Sequence, residues 1–148
     1  MRPAFTETLS ESLRLADEQA RQLHQEFVGT EHLLLGILAG KTGDAFRALQ
    51  AETDIENLMP KLTRALPRAT ERPVVTGRLP LSPKAQRVIN TAISDAQAAG
   101  QANVSTRFIL LALLGEGESA VRQVLSESGA DLEELRGMLI RADGPLEQ

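Results

Sequence analysis

Through most of this chain apolar residues recur at steps of three and four, with charged residues on the opposite face. Leu9, Leu13, Ala16, Ala20 and Leu23 set the first stripe, opposed by Glu11, Arg14, Glu18 and Arg21. Such spacing predicts amphipathic helices. Similar stripes follow at Ala45–Leu49, at Ile55, Leu58, Met59, Leu62 and Leu66, and from Ala85 to Ala96. The last two run over Val121, Val124 and Leu125 and over Leu132, Leu135, Met138 and Leu139. Two stretches break the rule: Val28–Leu38 and Val104–Leu114 have almost no polar face. A helix apolar all round must be buried on every side, so each is expected at the centre of its own small bundle.

Start and stop signals divide these stripes into helices. Thr6, Thr30, Asp54, Ser82, Thr106 and Asp131 stand where a side-chain oxygen can accept an orphan amide of a first turn, and Pro83 follows Ser82 at the first helical position. Gly40–Gly43, Gly100 and Gly129 end helices. Pro60 falls inside the fourth stripe, where a missing amide and a ring clash cost about 3 kcal/mol, so a kink or a split is expected there. Pro67–Pro80 shows little periodicity and reads as a linker.

The two halves superimpose at an offset of 76 residues: Thr6 falls on Ser82, Ala16 on Ala92, Val28 on Val104, Thr30 on Thr106 and Leu49 on Leu125. One further residue brings Asp54 onto Asp131. Caps, breaks and stripes return in the same order, which marks an internal duplication. The expected fold is all-α, with two tandem four-helix repeats related by a pseudo-twofold, eight helices in total. Residues 1–66 form the first repeat, 67–80 the linker, 81–141 the second repeat and 142–148 a tail.

Composition narrows the function. Hydrophobic residues make up 42% of the 148, with neither Trp nor Tyr, so the core is aliphatic. The net charge of −4, with both signs interspersed, lacks the basic face of a nucleic-acid binder. No segment has the run of about 20 apolar residues that a membrane span needs. The absence of cysteine removes disulfides and thiolate chemistry; with no signal-like apolar stretch near Met1, a cytoplasmic protein is expected. His24 and His32 have no cluster of acids around them in sequence, so neither a metal nor another cofactor is expected. Gly36–Thr42 imitates a phosphate-binding loop, but has three residues between its glycines and follows a helix rather than a strand. No nucleophile stands with a base, so no enzyme is expected. Glu116, Glu118, Glu133 and Glu134 read as a solvated acidic edge.

A duplicated four-helix unit with Gly29-Thr30-Glu31-His32-Leu33-Leu34-Leu35-Gly36 at its second helix resembles the Clp N-terminal repeat domain, which heads the ClpA, ClpC and ClpB classes of AAA+ unfoldases. Phe5-Thr6-Glu7, Leu81–Ala85 and Gly129–Leu132 carry the same likeness. The resemblance implies a non-catalytic domain that recognises substrates or adaptors and passes them to an ATPase ring, either excised from such a protein or free-standing as an accessory to one. In the ClpC class it also implies binding of phosphorylated arginine, with the motif's Glu on the guanidinium and Thr hydroxyls on the phosphate. Matching positions are Thr6, Thr30 and Glu31 in the first repeat and Ser82, Thr106 and Arg107 in the second. Arg107 replaces the carboxylate with a cation, so one intact pocket, at Thr6 and Glu31, is expected. Capping alone also accounts for the four hydroxyls. Phe5 and Leu81 precede caps, either as hydrophobic staples or as anchors for a bound peptide.

Overall fold

The computed structural model describes residues 4–66, 77–116 and 119–141. Within them the chain forms β1 (Ala4–Phe5), α1 (Glu7–Gln22), α2 (Thr30–Gly40), α3 (Asp44–Glu52), α4 (Ile55–Ala65), α5 (Pro83–Ala98), β2 (Asn103–Val104), α6 (Thr106–Gly115), α7 (Ala120–Glu127) and α8 (Leu132–Arg141). This is the all-α, eight-helix, twice-repeated arrangement that the periodicity predicts, with two-residue strands added.

The strands exchange partners between the repeats. β1 pairs in parallel with β2, Phe5 opposite Val104, and Val28 forms a parallel bridge with Leu81. The amide of Thr6 donates to Val104 O at 3.0 Å, and that of Ser82 to Val28 O at 2.8 Å. The caps that follow share one backbone conformation: φ −65°, ψ 159° at Thr6 and φ −65°, ψ 160° at Ser82. Each repeat therefore opens by pairing with the loop that precedes the buried helix of the other, which is the pseudo-twofold relation in hydrogen bonds.

α2 and α6 are the buried helices, with Leu33–Leu38 and Phe108–Leu110 inside. They do not centre separate bundles: one continuous core runs from Leu9 to Leu139. The short helices cross over, α3 packing on α6 and α8, and α7 on α2 and α4. Burial of this aliphatic surface supplies the driving force for joining the repeats.

Caps at Thr6, Asp54, Ser82 and Asp131 form as expected; Thr6 Oγ1, for example, accepts from Leu9 N at 3.0 Å. Thr30 and Thr106 differ. The cap positions belong to Gly29 and Ser105, and the threonines are the first helical residues. At α2 the ring of His32 folds back instead, its Nδ1 accepting from Gly29 N at 2.8 Å. The hydroxyl of Thr106 accepts from Ala45 N at 3.1 Å, so it caps α3 of the other repeat. α3 needs this help because its own cap residue is Gly43, which has no side chain; Ser119 at the matching place on α7 accepts from Arg122 N by itself.

Pro60 does not split α4, which runs unbroken from Ile55 to Ala65. Pro60 and Glu56 are both exposed, so water can satisfy the Glu56 carbonyl that the missing amide leaves open. Of the linker, residues 67–76 lie outside the described residues, as does the tail from 142. Residues 77–80 pack onto the first repeat: Leu79 is buried, its amide donates to Asp17 Oδ2 at 2.8 Å, and Pro80 O accepts from Val28 N. Asp17 also holds Arg21, whose guanidinium reaches Gly77 O.

Candidate functional site

The strand exchange regroups the residues that the motif singles out. Ser82 is bonded to Val28, three residues before Glu31, while Thr6 is bonded to Val104, three residues before Arg107. The hydroxyl cap of one repeat thus neighbours the motif of the other. By these backbone bonds Ser82 is tied to the segment that leads into Thr30 and Glu31, and Thr6 to the segment that leads into Thr106 and Arg107.

The two groups differ chemically. Glu31 is half-buried beside Gly29 and His32, and no hydrogen bond or ion pair joins its carboxylate to another described residue. Thr30 is buried and Ser82 half-buried. In the second group Thr106 is fully buried and occupied by Ala45. Arg107 is turned back onto the protein, its guanidinium 4.5 Å above the Phe108 ring and donating to Leu139 O at 3.2 Å. Phe5 and Leu81 are half-buried against the core, as staples would be. Among the described residues, the large apolar side chains that stand in solvent are Phe27 and Ile140.

His32 is buried beside the first group. Burial pushes its pKa below the ordinary value, and the Glu31 charge opposes the shift. Its Nε2 is buried with no hydrogen-bond partner. Among the described residues no three His, Asp or Glu side chains gather as a metal site would require, and no helix is long and apolar enough to cross a membrane.

A concavity lies elsewhere, where the sequence suggested an acidic edge but no binding residue. A cleft of about 750 Å³ opens in the second repeat between α5, α6, α7 and α8. Phe108, Leu111 and Leu114 of α6 form its floor, and Leu132 and Ile140 of α8 add apolar wall. Charged residues ring it: Asp95, Glu116, Arg122, Glu133 and Arg136. The expected acidic edge is therefore mixed in sign, with Glu116 beside Arg87 at 3.4 Å and Glu134 beside Arg141 at 3.6 Å; Glu118 lies outside the described residues.

The first repeat is tightly packed at the corresponding place. A Cβ on Gly36 would overlap the carbonyl oxygen of Ser12 and stand 2.9 Å from Ala16 N, so α1 and α2 touch backbone to backbone. Leu15 reaches across to Gly40, and Phe46 is buried. At the matching positions the second repeat has Ala112, Thr91, Glu116 and Arg122. There Ala112 carries the methyl that Gly36 lacks, and Thr91 and Arg122 replace the apolar Leu15 and Phe46. Comparing the two halves position by position, rather than looking for motifs, would have pointed to the cleft.

The family model for the Clp repeat (R) N-terminal domain matches residues 4–128 and 80–146. The ATP-binding subunit ClpA homolog of the ATP-dependent Clp protease from Cyanidium caldarium is 35% identical over 141 residues, 95% of this chain and 16% of that protein. Chloroplastic chaperone protein ClpC1 of Arabidopsis thaliana is 33% identical over 141 residues, again 95% of this chain and 15% of the relative. The chain thus spans about one sixth of the length of these relatives. Among solved structures, the Hsp104 N-terminal domain from Candida albicans has a TM-score of 0.78 at 18% identity, covering 93% of this chain and 90% of its own. The N-terminal domain of ClpD from Arabidopsis thaliana gives 0.74 at 20% identity over 92% of both chains. The ClpV N-domain in complex with a VipB peptide gives 0.70 at 21%, covering 92% of this chain and 87% of its own. These structures share the fold, and the family match runs through both repeats: this chain belongs to the Clp N-terminal repeat domain family.

Proposed function

We propose that the protein is a non-catalytic recognition module, which holds apolar segments of substrate or adaptor polypeptides for delivery to a Clp-type AAA+ ring. The observation that carries this reading is the second-repeat cleft: an apolar floor of Phe108, Leu111 and Leu114 under a charged rim. A concave apolar surface with a few polar groups is the usual form of a binding site, and its lining holds no histidine or cysteine to do chemistry. The solved complex of a ClpV N-domain with a VipB peptide supports polypeptide as the ligand class. The cysteine-free composition fits work in a reducing cytoplasm. The test is titration of the protein into a fluorescent, permanently unfolded polypeptide. Leu111→Asp, a half-buried floor position, should weaken binding about tenfold or more, since it puts a charge where an apolar contact was made. Unchanged binding by a folded variant would rule out the cleft.

A second reading is favoured by the half-buried carboxylate of Glu31, which has no hydrogen bond or ion pair to another described residue: a receptor for phosphoarginine, with one pocket rather than two because Arg107 repels a guanidinium. Calorimetry with free phosphoarginine should then give one site per chain, lost in Glu31→Ala. Equal affinity in that variant would dispose of it.

A further inference from the structure

We propose that the second-repeat cleft selects amphipathic helical segments that carry lysine or arginine beside their apolar stripe, and that Asp95 and Glu133 read the positive charge. This rests on the recognition reading above and specifies its substrate class.

The helical form follows from the walls. The cleft is bounded by α5, α6, α7 and α8, and neither β1 nor β2 lines it. An extended peptide would find no strand edge there to take up its backbone amides and carbonyls. A helix satisfies those groups internally and needs from its host only an apolar groove, which it meets with residues at i, i+3 or i+4, and i+7. The floor offers that groove: Phe108, Leu111 and Leu114 stand at steps of three along α6, flanked by Leu132 and Ile140 on α8. Ile140 is 57% exposed, an apolar surface that an occupant would cover.

The charge preference follows from which rim groups are already engaged. Glu116 faces Arg87, and Arg122 has an interaction of its own. The carboxylates of Asp95 on the α5 wall and Glu133 on the α8 wall have neither a hydrogen bond nor an ion pair to another described residue, and both residues are exposed. They face the cleft from opposite sides. Among the described residues of the lining, Arg136, one turn beyond Glu133 on α8, is the single unengaged cation, so the free rim described carries more negative than positive charge. Long Lys or Arg side chains leaving the apolar stripe of a bound helix can lay their stems on the cleft wall while their charge reaches these carboxylates. Exposed pairs of this kind each change affinity by only a small factor and weaken with salt. Two of them would tilt selection rather than create binding.

The test uses two designed peptides of about 14 residues, four helical turns, with one apolar pattern of leucines and either lysines or glutamates elsewhere. Each is titrated against the full chain by fluorescence anisotropy at low and at physiological salt. The lysine peptide should bind about tenfold tighter at low salt, with a smaller margin at higher salt. The double variant Asp95→Lys, Glu133→Lys, substituted at exposed positions and checked for unchanged helicity, should reverse the order. Equal binding of the two peptides would overturn the charge selection while leaving the cleft as a recognition site. The double variant also takes the formal net charge from −4 to zero, so a lysine preference that survives it would belong to groups other than Asp95 and Glu133 and overturn the proposal too. Failure of both peptides to bind, or binding indifferent to Leu111→Asp, would remove the recognition reading of the cleft along with it.

Discussion

The hydroxyl of Thr106 accepts the amide of Ala45 at 3.1 Å, so a residue of the second repeat caps a helix of the first. Ala45 lies in the first turn of α3, where amides have no partner within the helix, and both residues are fully buried. Thr106→Val keeps the shape and removes the acceptor. A buried donor left unmet costs about 1–3 kcal/mol, and urea denaturation should show that loss. Thr30→Val at the equivalent place should cost less, because α7 is capped by its own Ser119 and no hydrogen bond joins the Thr30 hydroxyl to another described residue. Equal losses would mean that the Thr106 bond contributes nothing particular.

A second asymmetry concerns Gly36 and Ala112. Gly36→Ala places a methyl against the backbone of α1, which has no flexible atom to move aside. Overpacking of this kind costs about 1–3 kcal/mol, although alanine favours the helix by about 1 kcal/mol over glycine. A net destabilisation is therefore the expected outcome. Ala112→Gly should lose about 1 kcal/mol from helix propensity alone. If Gly36→Ala were stabilising, the close approach of α1 and α2 would be wrong.

How legible these features were in sequence depended on the kind of signal. Helix positions could be read because each carries a stripe, a cap and a breaker, three signals that agree, as at Ser82-Pro83, Ala85–Ala96 and Gly100. The duplication could be read for the same reason. The exchange between repeats could not: an offset of 76 maps each half onto the other equally well whether Thr6 pairs with Val28 or with Val104. That choice is made in three dimensions, and it decides which cap is tied to the segment that leads into Glu31. Thr30 and Thr106 were misplaced by one position because a threonine before an apolar run looks the same whether it caps its own helix or another. The cleft was hidden because it arises from what is missing, the bulk of Leu15 and Phe46, and no local pattern announces a missing side chain.

The paired bonds Thr6 to Val104 and Ser82 to Val28, with one core shared by both halves, predict that neither repeat is stable alone. A fragment of residues 1–66 would lack the Val104 strand partner, the Thr106 cap and the α6 and α8 surface under α3. Chains of about 60 residues are marginal even with a complete core. The fragment should show no cooperative melting transition by circular dichroism, while the whole chain should melt in one step with matching calorimetric and van't Hoff enthalpies. A fragment that melts cooperatively near the whole chain's midpoint would show the repeats to be independent.

His32 makes stability depend on pH. Its Nδ1 accepts the Gly29 amide at 2.8 Å, so the proton of the neutral ring sits on Nε2, which is buried without a partner. Protonation would set a donor at Nδ1 against the Gly29 donor and bury a charge. The folded pKa is accordingly pushed below the ordinary value of 6.5, with burial as the main cause. As pH falls through about 6.5 the unfolded chain takes up a proton at this ring and the folded chain does not, so stability falls with pH by up to about 1.4 kcal/mol per unit. The loss ends at the folded pKa, and above 6.5 the contribution is complete. His32→Phe, which installs the residue that Phe108 supplies at the matching place in the second repeat, removes the titrating group and retains a ring of similar size. Denaturation midpoints measured between pH 7.5 and 5 should then slope less in the variant than in the parent, while His24, present in both, cancels from the comparison. Identical slopes would mean that the ring of His32 takes its proton equally well in both states, and the buried Nε2 would have to be reached by water.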